Sequence, residues 1–433
     1  MKAVKIFMGL GDTCGYYAEL EKGLNSLGVP CTFTNAYPDR IYKRDFPPCL
    51  VGKVVEWIAI KRVNESRGSL TRRCWTLLQA LCMPLLFLTT LFRYNVYIFA
   101  GGTSFFPPYD LWLLKFFRKR VIMVFHGTDS RAPYLSSVSV GAQGYFDVEQ
   151  CARETRAIKK YLQMVEKYAD VLIDNPAASH LHGRKVINWH DIGIPFKCSV
   201  LSEQQPANTF VEKKGCVILH APTRPEKGSA QIEEAINSLK NKGHEINFIK
   251  LVARTNAEVL EAIAGCDFVV DELFSDVFMA TFATEAASFG KPAIVGLYEY
   301  EKVLACISEK HMIPPVMLCT AEGVEAAIEK LILDKEYRLQ LGSDARNFVE
   351  RQWCATEVAQ RYLLLAQNKI PQEWWFDPKT IDRLYGWGLT DKRAREVICM
   401  LIERKGLSAL QLSTNPDLEQ KFLSFAFEGK KSC

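Results

Sequence analysis

Residues 275–296 read S-D-V-F-M-A-T-F-A-T-E-A-A-S-F-G-K-P-A-I-V-G, which is a loop, a helix, a tight turn and a strand in succession. The stretch Thr281 to Phe289 holds neither Gly nor Pro and carries Glu285 inside it. Gly290, followed by Lys291-Pro292, stops that helix as helices commonly stop, with a residue free to turn left-handed and a proline that cannot continue the ladder. Ala293 to Val295 then predicts a short apolar strand. A carboxylate early in such a helix faces the mouth of a parallel sheet, where ligands settle, and suits the hydroxyls of a ribose. By itself Glu285 fits a solvated helical glutamate equally well.

The upstream segment shifts that balance. Cys216 to His220 (C-V-I-L-H) has the pattern of a buried strand, and the loop A-P-T-R-P-E-K-G leads from it into a helix expected over Ser229 to Leu239. Free backbone N–H groups and the positive end of the helix dipole converge after Gly228, and Arg224 and Lys227 add cations, a combination that binds phosphate. A phosphate site followed by a ribose-binding carboxylate describes a nucleotide.

Together, H-A-P-T-R-P-E-K-G and A-T-E-A-A-S-F-G-K-P resemble the donor-binding half of the retaining, family-four glycosyltransferases of the type-B fold. The resemblance implies that Lys227 reaches the donor diphosphate and Glu285 the ribose. Two positions depart from the family pattern: Pro222 stands five residues before the lysine where an arginine is usual, with Arg224 as a displaced substitute, and Val277 stands where the first glutamate of an E-x(7)-E pair falls, beside Asp276. A branch of the family with small or aromatic residues there, preceded by a V-V-D strand, fits F-V-V-D-E over Phe268 to Glu272 better.

The N-terminal half repeats the same rhythm. Val4 to Met8 predicts a strand, Gly9 to Gly15 a glycine-rich turn that includes Gly11, and Tyr16 to Leu27 a helix. Val96 to Ala100, the helix Tyr109 to Phe117 and the strand Val121 to Phe125 follow, and the last of these runs into H-G-T-D-S-R. His126 therefore stands at the carboxyl edge of a sheet. Members of the resembled family carry a histidine near the donor sugar in an H-G-x-D-x-R setting, which His126, Asp129 and Arg131 match. His180, His182 and His190 are close in sequence but do not share a helix face, so no metal site is expected.

Apolar content of 48% and charged content of 24% in 433 residues are those of a soluble globular chain of two to three domains. The fourteen cysteines lack short pairings and are expected to be reduced thiols. The opening M-K-A-V-K-I-F-M-G goes straight into a strand, so no signal peptide is expected, and the location is read as cytoplasmic.

From Tyr42 to Arg73 eight basic residues (Lys43, Arg44, Lys53, Lys61, Arg62, Arg67, Arg72, Arg73) face three acidic ones, an excess equal to the +5 of the whole chain. Eighteen uncharged residues, Trp75 to Phe92, come next. Pro84 and the strand that follows argue against a spanning helix, which leaves a buried core helix or one lying on an anionic membrane surface. Nucleic acid is not expected as a partner.

The resulting expectation is an α/β chain with two facing Rossmann-like domains, over residues 1–200 (the membrane-contact segment at 42–93) and 201–369, with a linker at Ser202 to Lys214. A small helical appendage follows over 370–433, its Trp374, Trp375 and Trp387 read as packing residues. The catalytic candidates are His126, Lys227 and Arg224. The donor-binding candidates are Gly11, Asp129, Arg131, His220, Gly228, Asp276 and Glu285, with no metal and no cofactor beyond the nucleotide-diphosphate-sugar itself. The expected reaction is retaining transfer of a sugar to a hydroxyl acceptor, such as a lipid-linked glycan or polysaccharide precursor. A nucleotide-sugar epimerase or hydrolase of the same architecture, or a noncatalytic donor-binding or scaffold subunit, remains the alternative.

Overall fold

The computed structural model describes residues 3–38, 49–107, 109–141, 143–197, 215–224, 227–297, 299–307 and 309–428. The expected linker over Ser202 to Lys214 lies outside these residues, as do Lys43, Arg44, Pro225 and Glu226.

Two parallel sheets organise the chain. The first contains β1 (Ile6–Gly11), β2 (Cys31–Tyr37), β3 (Val96–Ala100), β4 (Arg120–Val124), β5 (Val171–Asp174) and β6 (Val186–Asn188). The second contains β7 (Cys216–His220), β8 (Ile246–Lys250), β9 (Phe268–Val270), β10 (Ala293–Gly296) and β11 (Met317–Cys319). A last strand, β12 (Trp375–Phe376), returns to pair antiparallel with β6. The strand orders are β12-β6-β5-β4-β3-β1-β2 and β11-β10-β9-β7-β8.

Strand residues alternate between the two faces of each sheet, and both faces are covered. Phe7, Tyr97, Phe99, Val121 and Met123 belong to one core, and Ile6, Met8, Ile98, Ile122 and Val124 to another on the opposite side. That second core continues into the second lobe through Val217, Leu219, Val269 and Val295. The order of each sheet reverses between β1 and β3 and between β7 and β9. At such a reversal the loops leaving the carboxyl ends diverge and leave a crevice.

The outgoing and returning chains cross between the lobes side by side. The Phe196 N–H donates to the Trp353 carbonyl at 2.7 Å, and the Ala355 N–H to the Phe196 carbonyl at 2.9 Å. The returning chain forms two helices, Lys335–Gln352 and Ala355–Ala366. The second packs on the helix Tyr16–Ser26 so closely that a Cβ at Gly23 would come 2.1 Å from the Ala355 carbonyl oxygen.

The segment after residue 370 is more than an appendage of helices. Besides β12, its helices Asp391–Lys405 and Pro416–Phe427 place Val397, Ile398, Leu401 and Phe422 in the same core as Tyr134, Leu135 and Cys151 of the first lobe. The eighteen-residue uncharged stretch, apart from its last residue Phe92, lies within the helix Leu70–Leu91, which pairs with the helix Leu50–Asn64. Among the described cysteines eleven are free thiols, whereas Cys354 is disulfide-bonded, which departs from the expectation of reduced thiols throughout.

Candidate functional site

The carboxyl ends of both sheets open on one cavity of about 210 Å³ between the lobes. Thr13 and Cys14 after β1, His126 and Arg131 after β4, and Asn175 after β5 form its first-lobe wall; Glu272, Asp276, Val277 and Thr281 form the second-lobe wall, and Trp387 from the C-terminal segment completes it.

His126 is fixed from two sides. Its backbone N–H donates to Asp129 Oδ1 at 3.0 Å, and its Nε2 lies 2.9 Å from the Tyr17 hydroxyl. Although one edge reaches the cavity, protein surrounds the ring, and this burial holds its pKa down at about 4 against the smaller opposing pull of Asp174. His126 is therefore neutral near pH 7, a hydrogen-bonding group and not a cation. Asp129 is pushed up to about 7, first by burial and then by Asp174. It sits under Gly101, where a Cβ would come 1.9 Å from Asp129 Oδ2, so only glycine fits beside it. Asp129 thus positions the His126 backbone from below.

Lys227 lies behind the second-lobe wall, paired with the wall residue Glu272. Its Nζ is 3.3 Å from Glu272 Oε2 and 3.5 Å from Asp271 Oδ1. Burial opposes its charge, but the two carboxylates outweigh that and raise its pKa. Glu272 in turn is raised, chiefly by burial. The loop carrying Lys227 is held by the Leu273 N–H, which donates to the Lys227 carbonyl at 3.0 Å. Gly228 is required at the start of the helix Ser229–Asn241: its φ is +88°, and a Cβ there would lie 2.8 Å from Leu273 Cβ. Arg224 is exposed beside this loop.

Glu285 is buried in the helix Thr281–Ser288, and its Oε1 accepts from Asn256 Nδ2 at 2.7 Å. Burial raises its pKa to about 7, with Asn256 opposing and Asp271 adding. A solvated surface glutamate, the alternative kept open for this residue, is excluded.

Other expected site residues are placed differently. His220 uses both ring nitrogens internally, Nδ1 at 2.8 Å from the Val270 carbonyl and Nε2 at 2.9 Å from Ser229 Oγ. It ties β7 to β9 and to the following helix. Gly11 backs onto Thr103, and Thr13 and Cys14 form the cavity wall instead. Asp276 is buried and holds two arginines, Arg131 at 2.5 Å and Arg383 at 2.8 Å. The three clustered histidines serve separate contacts: His182 bridges Glu166 (3.0 Å) and Asp174 (3.1 Å), His180 meets the Arg383 carbonyl at 2.7 Å, and His190 packs on Trp189 and Phe278. Asn175, which joins the lobes by donating to the Asp276 carbonyl at 2.9 Å, and the distant Arg383 and Trp387 were not anticipated. A strand ending in D-N-P was the available signal for Asn175, because the carboxyl ends of sheet strands line the crevice.

No family model and no curated protein matches the sequence. Solved structures similar to the chain include a glycosyltransferase from Rickettsia africae (12% identity, 85% of this chain and 99% of the other, TM-score 0.48). Anabaena HepE with UDP and glucose is similar at 13% identity over 84% of this chain and 98% of the other, with a TM-score of 0.47. The UDP complex of Staphylococcus aureus MnaA shows 14% identity over 85% and 99%, with a TM-score of 0.39. Similarity this distant concerns backbone arrangement and carries nothing about chemistry.

Proposed function

We propose that the protein transfers a sugar from a nucleotide-diphosphate-sugar to a hydroxyl acceptor, with retention of anomeric configuration. What supports this most is the convergence of two sheet mouths on one cavity that the neutral His126 lines from the first lobe and Glu272, the ion-pair partner of Lys227, lines from the second. Lys227 and the N–H groups after Gly228 would meet the diphosphate, Glu285 the ribose, and His126 a sugar hydroxyl. In the step itself the acceptor oxygen bonds to the anomeric carbon, the bond from that carbon to the diphosphate breaks, and its electron pair leaves with the diphosphate, which takes up the acceptor's proton. Lys227 is prepositioned for that developing charge and needs no reorganisation when it appears. Its two carboxylate neighbours oppose an incoming diphosphate, so donor binding should be accompanied by proton uptake, most readily at Glu272, whose burial already favours the protonated form.

The test is a panel of nucleotide-diphosphate-sugars scored first by the rise in melting temperature, since a ligand that binds only the native state must stabilise it, and then by turnover with and without a hydroxyl acceptor. Nucleotide release that needs no acceptor would instead identify a hydrolase or epimerase, and stabilisation without turnover a binding subunit.

We infer further that the acceptor is lipid-linked and that the first lobe lies on an anionic bilayer. The helix Leu70–Leu91 buries Met83, Leu86, Phe87 and Leu91 against the sheet while Leu77, Leu81, Leu85 and Leu88 stay exposed. With a mean hydropathy of 1.7 and only 33% of its most apolar window buried, it is a core helix on one side and an unpartnered apolar face on the other. The helix Tyr109–Phe116 packs on the same side of the sheet through Leu111 and Leu114, leaving Trp112 and Phe116 outward. Lys53 and Lys61 on the paired helix Leu50–Asn64, Arg67 in the connecting loop, Arg73 on the helix Leu70–Leu91 and Arg93 just past its end are all exposed. Apolar side chains bordered by lysine and arginine suit the headgroup boundary of an anionic leaflet. Vesicle sedimentation tests this independently of the chemistry.

A further inference from the structure

Two guanidinium groups share one carboxylate beside the cavity. Arg131 Nη2 is 2.5 Å from Asp276 Oδ2 and Arg383 Nη2 is 2.8 Å from Asp276 Oδ1, and all three residues are at most 6% exposed. Two cations directly pair with one anion, and the next carboxyl that feels Arg131, Asp129, is pushed up to about 7 by burial, so positive charge is under-compensated in a place poorly reached by water, an arrangement that is costly unless an anion completes it. The donors are also incompletely used: Arg131 Nε and Arg383 Nη1 lack hydrogen-bond partners among the described residues, and so do Arg383 Nη2 and Asp276 Oδ1, whose 2.8 Å approach is a charge contact without hydrogen-bond geometry. The adjoining His180 is kept neutral by burial, its pKa at about 4, so it contributes no further charge.

Position gives this excess a direction. Arg131 lines the cavity, its guanidinium 4.8 Å from the centre of the Trp387 ring, and Trp387 lines the same cavity. Arg383 lies behind, on the far side of Asp276, in a turn where a Cβ at Gly386 would come 3.1 Å from its Nη2 and 3.2 Å from Asp276 Oδ1. Arg383 can therefore keep Asp276 neutralised while Arg131 turns its charge to the cavity. The Lys227 cluster has the reverse balance, one lysine against Asp271 and Glu272, of which Glu272 lines the cavity. A structural brace alone would need only one arginine per carboxylate.

We propose that Arg131, held by Trp387 and released from full pairing by Arg383, binds an oxyanion of the phosphate type at the Trp387 end of the cavity, a site apart from the Lys227 loop. Arg383 is a positioning residue here, acting through Asp276. The assignment rests on the glycosyl-transfer reading only for the source of the oxyanion, which is either the donor's diphosphate or a phosphate on the acceptor.

The probe is inorganic pyrophosphate, titrated calorimetrically into the full-length protein. Arg383→Gln should weaken its binding at least tenfold and Arg383→Lys should recover most of the loss. Asp276→Asn should strengthen binding, a sign opposite to that of mere loosening of the fold. Weakening by Asp276→Asn as large as that by Arg383→Gln, or no saturable binding to the wild-type protein, would overturn the proposal. Unchanged binding in Arg131→Gln together with loss in Lys227→Gln would overturn it too while leaving glycosyl transfer intact. The converse result, pyrophosphate binding that depends on Arg131 in a protein that turns over no donor, would keep the oxyanion site and remove the transferase reading. Competition between UDP and the Arg131-dependent share of pyrophosphate binding, the share lost in Arg131→Gln, assigns the site to the donor, and simultaneous binding of UDP with that share assigns it to the acceptor.

Discussion

The Tyr17 hydroxyl lies 2.9 Å from Nε2 of His126, which joins the first helix of the chain to the mouth of β4. Because burial holds the ring at about 4, well below the usual 6.5, His126 should stay neutral across the physiological range. The folded state then resists a proton that the unfolded chain accepts, so this ring's contribution to stability is complete above about pH 6.5 and is lost as pH falls toward 4. Proton-detected imidazole spectra should show the His126 ring unprotonated at pH 5.5. A titration centred near 6.5 would contradict the burial argument.

Lys227→Ala should lower turnover about a hundredfold, since a cation prepositioned on a developing anion contributes roughly 3 kcal/mol. It should also lower the melting temperature, because Asp271 and Glu272 lose their partner. Adding Glu272→Gln should recover stability but not turnover. Undiminished turnover of Lys227→Ala at saturating donor and acceptor would remove the lysine from the mechanism.

Glu285→Gln should act in two directions. A carboxyl raised to about 7 from its usual 4.5 is protonated in the folded state over a range where the unfolded chain is ionised, so its contribution to stability falls as pH rises from 4.5 to 7. The amide escapes that loss, and the unliganded variant should melt higher than wild type at pH 8 with no gain at pH 4. Its donor Michaelis constant should rise while turnover of the bound complex changes little, since a ribose contact is common to ground and transition states. Reduced turnover at unchanged donor affinity would assign Glu285 elsewhere.

Lys61→Glu, Arg67→Glu and Arg73→Glu combined should abolish sedimentation with anionic vesicles and leave donor binding intact. All three side chains are exposed, whereas Arg62 is partly buried against Tyr37 and donates to the Ala36 carbonyl at 3.3 Å, so reversing it would perturb the fold. Each basic residue near the surface should contribute about 1 kcal/mol, and added salt should weaken the attraction. Equal partitioning of the wild-type protein onto neutral vesicles would show that charge is not what brings it there.

Local patterning made much of the scaffold legible. The strands Cys216–His220 and Val96–Ala100 occupy the residues expected, and the helix around Glu285 ends one residue before its expected last position. These are runs whose period or punctuation is complete within a few residues. The helix Leu50–Asn64 was obscured because its apolar residues lie all round it, Val54, Trp57 and Ile60 exposed and Val55, Ile58 and Ala59 buried, so no single-faced period marks it. His220 illustrates another limit: a histidine at a strand's carboxyl end has the same sequence signature whether its ring faces ligand or, as here, Val270 and Ser229. Asp276 and Arg383 are 107 positions apart, and nothing near either residue encodes their meeting.

Because Val397, Ile398, Leu401 and Phe422 share a core with Tyr134 and Leu135, the first lobe is built from both ends of the chain. During synthesis its sheet must wait, with that flank uncovered, while the whole second lobe emerges, and the edge of β6 stays unpaired until Trp375 arrives. A protein ending before Trp375 would therefore expose apolar surface and an open strand edge together, a combination prone to aggregation. The two lobes seen in space cannot be separated by a single cut in the gene.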